Sequence, residues 1–144
     1  MNNIAELLRK IVLSDESPQI LICTVDKVNG AFCDVSPVDK NIAPLTNVRL
    51  NAYSETPDFL IKPKEESYVL VAKINHSDAY VAMFSEIDTV RIRNEHYSLC
   101  KAFNMLLDAI MNLKVTTGTG PSGVPINLSE FNTIKTKINQ LLEE

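Results

Sequence analysis

The sequence is short of almost everything that announces a function. No apolar run approaches the roughly 20 residues that a membrane-spanning helix needs. Glu6, Arg9 and Lys10 interrupt the stretch where a secretory signal would carry its apolar segment, and no small-residue cleavage site follows. Synthesis and residence in a cytoplasm are therefore expected. Cysteine is sparse. Cys23, Cys33 and Cys100 make an odd number, at spacings that fit neither a disulfide framework nor a zinc motif. Small buried thiols in a reducing compartment are the expectation. Basic residues are few as well: fourteen Lys and Arg against eighteen Asp and Glu leave a net charge of -4, with no Lys/Arg cluster. A protein that grips phosphates ordinarily carries a basic surface, so nucleic acid is not the expected partner. No nucleophile, base and orienting group come together in the sequence, and no enzyme, cofactor or metal site is expected.

What is present is the makings of one domain with helical additions. In 144 residues, 45% are apolar and 22% charged, the balance of a globular chain. A chain of this length buries about 70% of the surface that its unfolded form exposes. Ile4, Leu7, Leu8, Ile11 and Val12 follow the i, i+3, i+4, i+7, i+8 stripe of a short amphipathic helix within residues 1–15, with Asn3 and Glu6 as a capping box. Asp15-Glu16-Ser17-Pro18 ends it.

From residue 19 to about 93 the pattern changes to short runs rich in Val, Ile, Tyr and Phe, separated by turn chemistry. The runs are 19–28, 31–38, 42–53, 59–61, 68–74, 79–84 and 89–93. No segment among them is long enough to cross between parallel strands. The expectation is a mainly β fold with flanking helices (α+β), built on a small, antiparallel, five-stranded OB-like barrel. Asn29-Gly30 reads as a two-residue hairpin loop. It sets Val28 opposite Ala31 and Asp26 opposite Cys33, which separates Cys23 from Cys33 by a sheet face. Leu21, Cys23 and Val25 then share one face of the first hairpin, and Ile20, Ile22 and Cys33 the other. Since both faces are apolar, one fills the barrel, and the other needs a cover from the terminal helices or a neighbouring subunit.

Residues 96–144 switch to a helical period. Leu99, Phe103, Leu106, Ile110 and Leu113 step by 4, 3, 4, 3, a heptad seam that Ala102, Leu107 and Met111 widen. A Gly/Pro-containing link over 114–126 leads to a second helix, with Asn127 as cap, Glu130 at the third helical position, and Ile126 against Phe131 as a hydrophobic staple. Its seam is Phe131, Ile134, Ile138 and Leu141. The two helices form a hairpin in one chain or bundle with copies from others.

Several patterns resemble sites without meeting their requirements. Gly118-Thr119-Gly120-Pro121-Ser122-Gly123 spells a dinucleotide fingerprint, but it follows a helix, and Pro121 removes an amide from the phosphate cradle. A pliant interhelical loop is expected. His76, Ser77 and Asp78 are adjacent in one turn and cannot converge as a relay; an exposed hairpin tip accounts for them. His96 has no second ligand nearby and reads as a packed or capping residue. Glu65 and Glu66 point to opposite sides of the chain and keep a loop solvated. Phe32, Tyr53, Tyr68 and Tyr80 offer a stacking platform for single-stranded nucleic acid, which would also need a cationic groove from Arg49, Lys73, Arg91 and Arg93.

The order of the pieces carries a resemblance. Cys-Thr-Val-Asp-Lys-Val-Asn-Gly (23–30) is followed by Cys-Asp-Val-Ser-Pro (33–37), Asn-Val-Arg-Leu-Asn-Ala (47–52), Phe-Leu-Ile-Lys-Pro-Lys (59–64), Tyr-Val-Leu-Val (68–71) and Asp-Ala-Tyr-Val-Ala-Met-Phe-Ser-Glu-Ile-Asp (78–88). This resembles the OB-fold domain of baseplate hub and spike proteins from bacteriophage tails and related contractile injection systems, in the small variants associated with Bacteroidetes. Thr-Gly-Thr-Gly-Pro-Ser-Gly-Val-Pro-Ile-Asn-Leu (117–128) is similar to C-terminal tails of phage baseplate proteins. The resemblance implies a homotrimer on the tail axis, docked to tail-tube, hub or other baseplate proteins and assembled into a virion tail. The chain has neither the repetitive β-helix nor the lysozyme-like insertion of larger spikes, so an adaptor or plug at the tube end is expected rather than a piercing needle. The expectation is a non-enzymatic structural protein with no small-molecule substrate and no integral membrane contact. Leu21, Ile22, Leu106, Ile110, Phe131, Ile134 and Ile138 are its expected core or interface residues. The alternative is an OB-fold module that binds single-stranded nucleic acid or another ligand.

Overall fold

The computed structural model describes residues 19–52, 58–75 and 77–144. The expected N-terminal helix, the break at 54–57, Tyr53 and His76 lie outside the described residues. Among the described residues, seven strands come first: β1 (Gln19–Asn29), β2 (Phe32–Pro37), β3 (Leu45–Arg49), β4 (Phe59–Pro63), β5 (Tyr68–Lys73), β6 (Ala79–Phe84) and β7 (Ile87–Ile92). Then follow helix α1 (Leu99–Met111), the two-residue strands β8 (Thr116–Thr117) and β9 (Gly120–Pro121), helix α2 (Leu128–Leu141) and strand β10 (Leu142–Glu143). The chain divides into two compact units. Among the described residues, the first holds 19–52, 61–75 and 77–88, the second Asp58–Leu60 and Thr89–Glu144.

In the first unit, five strands close into a barrel in the order β1-β2-β3-β6-β5, with β5 returning to β1. All neighbours are antiparallel except β3 and β6, which run parallel. The expected five-stranded barrel is present. Its interior is built from small and β-branched side chains: Cys23, Val25, Cys33, Val35, Val48, Val69, Val71 and Val81 are all buried. These residues suit a narrow barrel because branched chains pack well on a pleated surface.

The first hairpin differs from the expected one. Asn29 pairs with Phe32, so the loop residues are Gly30 and Ala31. Gly30 has φ 62°, while Ala31 keeps a negative φ. That puts glycine at the first central position, as in a type II′ turn, rather than at the second as an Asn-Gly turn requires. The register then shifts between Val25 and Lys27, leaving Asp26 as a bulge. Beyond it Val25 faces Val35 and Cys23 faces Pro37. Cys33 therefore points inward with Cys23 and not outward with Ile20 and Ile22. A net change of one residue in pairing moves a whole strand face.

The bulge is pinned from the β4–β5 connection. Glu66 N–H donates to the Val25 carbonyl at 2.8 Å, and Val25 N–H to the Ser67 carbonyl at 3.0 Å. Glu65 is more than a solvated charge, since its Oε1 accepts from the Val28 amide at 3.2 Å. Glu66 sits in the left-handed region at φ 66°, a conformation uncommon in a residue other than glycine. The hydrogen bond from its N–H to the Val25 carbonyl ties it to β1 in that conformation.

β4 and β7 do not enter the barrel. They form a separate sheet with β10, in the order β10-β7-β4. In the second unit β10 runs parallel to β7, with Leu142 opposite Val90 and Glu143 opposite Arg91. The α1 start is capped as its sequence allows: Ser98 Oγ accepts from the Lys101 amide at 3.1 Å. The expected capping at α2 is not made. Asn127 stands at the cap position, but its side chain makes no cap bond, and its backbone carbonyl accepts from the Glu130 amide at 3.0 Å instead. Ile126 is fully exposed, so no staple forms with Phe131. The expected pliant link contains a small ladder, Thr116 opposite Pro121 and Thr117 opposite Gly120, closed by a bond from the Val115 amide to Ser122 Oγ at 2.9 Å.

Two outcomes follow from the barrel interior. Val71→Ala removes packed volume where nothing can collapse, and should lower unfolding free energy by about 2 kcal/mol in urea titrations, whereas Ile20→Ala on the outer face should change it by under about 0.5 kcal/mol. Burial pushes the Cys23 thiol up from 9.0 to about 11 and the Cys33 thiol up to about 12, with nearby Asp26 and Asp34 adding to the effect. Above pH 9 the unfolded chain releases thiol protons that the folded chain keeps, so stability should fall from about pH 9 to about pH 12. Urea midpoints for the wild type and a Cys23→Ala/Cys33→Ala variant check this; the fall should be shallower in the variant.

Candidate functional site

The outer face of the barrel opposite the valine interior is apolar where a lone barrel would be polar. On β1, β5 and β6 the register lines up two rows: Ile20, Ala72 and Tyr80, then Ile22, Leu70 and Met83. Ile20 is 72% exposed, Ile22 57% and Met83 62%. Tyr68, next along β5 and opposite Thr24, is exposed as well. No charged side chain stands in either row. Alternation produces this face directly, because Ile20 and Ile22 must point out if Cys23 and Val25 point in.

Beside Tyr68 lies an open cleft of about 400 Å³, lined by Thr24, Asp26, Ser36, Pro37, Val38, Lys40 and Tyr68. Asp26, at the bulge, is one of the lining residues, and Ser36 Oγ donates to its Oδ2 at 2.7 Å. One cation, Lys40, shares the cleft with that carboxylate.

The arginines named as a possible cationic groove are each held by a carboxylate. Arg49 donates from Nε and Nη2 to the two oxygens of Asp78 at 2.8 and 2.9 Å, a forked pair, and also to the Ala52 carbonyl. Asp78 is therefore an anchor between β3 and the β5–β6 turn, not part of an idle hairpin tip. Arg91 donates to Glu143 at 3.0 Å, and Arg93 stands 3.4 Å from Asp58. Phe32 is half-buried on β2, and Tyr68 and Tyr80 share the outer face of the barrel. His96 is exposed, and its backbone amide donates to Asn94 Oδ1 at 2.9 Å. Among the described residues, no three His, Cys, Asp or Glu side chains gather as a metal site.

The two helices pair within the chain, through polar groups. Asn104 Nδ2 donates to Asn139 Oδ1 at 2.8 Å, Cys100 Sγ reaches the same oxygen at 3.3 Å, and Lys135 Nζ donates to both oxygens of Asp108 at 2.7 and 2.9 Å. Because positions rise on α1 as they fall on α2, the helices run antiparallel. The buried residues of α1 are Cys100, Leu107 and Met111. The heptad seam lies beside this stripe and is left uncovered: Leu106 is exposed and Ile110 half-buried. On α2, Ile134 is exposed, with Phe131 and Ile138 half-buried. Of the seven expected core or interface residues, the remaining one, Leu21, is half-buried on β1. None of the seven is fully buried.

No protein-family model, curated protein or solved structure matches the chain.

The Arg49 fork gives the site's clearest electrostatic outcome. Its side chain is only 15% exposed, so Asp78→Ala, which removes both bonds of the fork, should cost about 2 kcal/mol in chemical unfolding. Glu86→Ala, at the exposed pair with Lys64, should leave the unfolding midpoint in place.

Proposed function

We propose that the chain is a non-enzymatic structural component of a phage-type tail baseplate, a hub, spike or tube-end adaptor that assembles as a homotrimer. It is made in the bacterial cytoplasm and built into the tail of a virion or injection apparatus, where it docks on tube, hub or other baseplate proteins. The observation that carries this reading is the uncharged outer face of Ile20, Ile22, Leu70, Met83 and Tyr80. Apolar rows of this kind belong between subunits, where they exclude water. A contact that buries about 1,000 Å² or more makes assembly stable without chemistry. The barrel's five strands, closed by a single parallel pair, support its OB-like part.

The alternative, an OB-fold module for single-stranded nucleic acid or another ligand, would use the cleft beside Tyr68. The carboxylate in that cleft and the ion-paired arginines favour the structural role, because a polyanion needs uncompensated positive charge. Light scattering of the full chain should give a mass near three times 16.1 kDa, and Ile22→Asp with Met83→Asp should reduce it while the β-sheet circular dichroism persists. A wild-type mass of 16.1 kDa at every concentration, or a salt-dependent gel shift with oligonucleotides, would overturn the reading.

A further inference from the structure

The turn between β1 and β2 brings together two groups that can react with each other. Asn29 is the only asparagine in the sequence that a glycine follows. Asparagine is a chemically labile residue, because its Cγ and the backbone nitrogen of the next residue can close a five-membered ring. The next residue's side chain ordinarily shields that nitrogen. Gly30 has none, and nothing lies within 4 Å of where its Cβ would stand.

Both reacting groups are unengaged. Asn29 and Gly30 are exposed, and among the described residues neither the Asn29 carboxamide nor the Gly30 amide makes a hydrogen bond. Several other exposed asparagines are held. Asn41 Nδ2 donates to Asp39 Oδ1 at 2.9 Å, Asn75 Oδ1 accepts from the Ser77 amide at 2.9 Å, and Asn94 Oδ1 accepts from the His96 and Tyr97 amides, each at 2.9 Å. Each of these is also followed by a residue with a side chain: Ile42, His76 and Glu95.

We infer that Asn29 is a site of spontaneous deamidation in the folded chain. The Gly30 nitrogen gives up its proton to solvent base and attacks Asn29 Cγ. The new N–Cγ bond forms, the Cγ–Nδ2 bond breaks, and Nδ2 takes up a proton and leaves as ammonia. Water then opens the cyclic imide at either of its carbonyls. One opening leaves aspartate at position 29; the other leaves isoaspartate, in which the main chain runs through Cγ. Water is the only co-reactant, and nothing is oxidised or reduced. Either product puts a carboxylate where a neutral amide stood. Isoaspartate also lengthens the backbone by one carbon at the residue that pairs with Phe32, beside the turn that sets the β1–β2 register.

Peptide mapping of the full chain tests this. Trypsin cleaves after Lys27 and Lys40, and in the peptide between them Asn29 is the only side-chain amide. The chain is held in mildly alkaline native buffer with its β-sheet circular dichroism intact. Peptides are followed by mass spectrometry, with isoaspartyl methyltransferase as the probe for isoaspartate. The 28–40 peptide should exchange its amide for an acid about tenfold faster than any other asparagine peptide, a barrier lower by about 1.4 kcal/mol, and should take up the methyl label. Asn29→Gln, whose ring would need one more atom, should do neither. A 28–40 peptide that keeps its amide throughout, or converts no faster than another asparagine peptide, overturns the site. Conversion without methyl label overturns the imide route.

Discussion

The pairing of β1 with β2 is the constraint on which the first unit depends. Gly30 turns the chain, the Asp26 bulge absorbs one residue, and Cys23, Val25, Cys33 and Val35 all face inward as a result. The same alternation drives Ile20 and Ile22 out onto the barrel's surface. Interior and outer face are therefore one decision, taken at a two-residue turn and a single bulge. The bonds from Glu65, Glu66 and Ser67 to β1 keep that decision from slipping.

Polar side chains have a related task in the second unit. Asn104, Asn139, Asp108 and Lys135 fix how α1 and α2 meet. Directional bonds specify an orientation that interchangeable apolar contacts leave open. Choosing this face commits Leu107 and Met111 to the interior and turns the heptad seam outward. In the barrel and the helical pair alike, the residues left outside are the ones that a lone molecule has least reason to expose.

Much of this was legible in advance. The strands at 68–74 and 79–84 reappear as β5 and β6 with nearly the same ends, because alternating Val and Leu against turn-forming Asn75 and Asp78 leaves little choice. The barrel of five strands followed from short runs with no crossover helix. Ser98 marked the start of α1. The hairpin register was misplaced by its loop, since Asn29-Gly30 and Gly30-Ala31 both put glycine where a tight turn tolerates it, and only the bulge and its partners distinguish them. The Arg49–Asp78 fork was invisible for a different reason: it joins residues 29 positions apart, and nothing local in either residue announces the other. The failed staple at Ile126 has the same origin, a local pattern with no packing to enforce it.

The chain's own letters determined the inventory: strand and helix types, the apolar stripes and the negative balance of charge. These depend on spacing along the chain, which periodicity reports directly. Tertiary structure alone decided which of two apolar faces goes inside, in the first hairpin and again in α1. Both faces satisfy the same local pattern, and the difference between them lies in distant partners, Ser67 and Val35 for β1, Lys135 and Asn139 for α1.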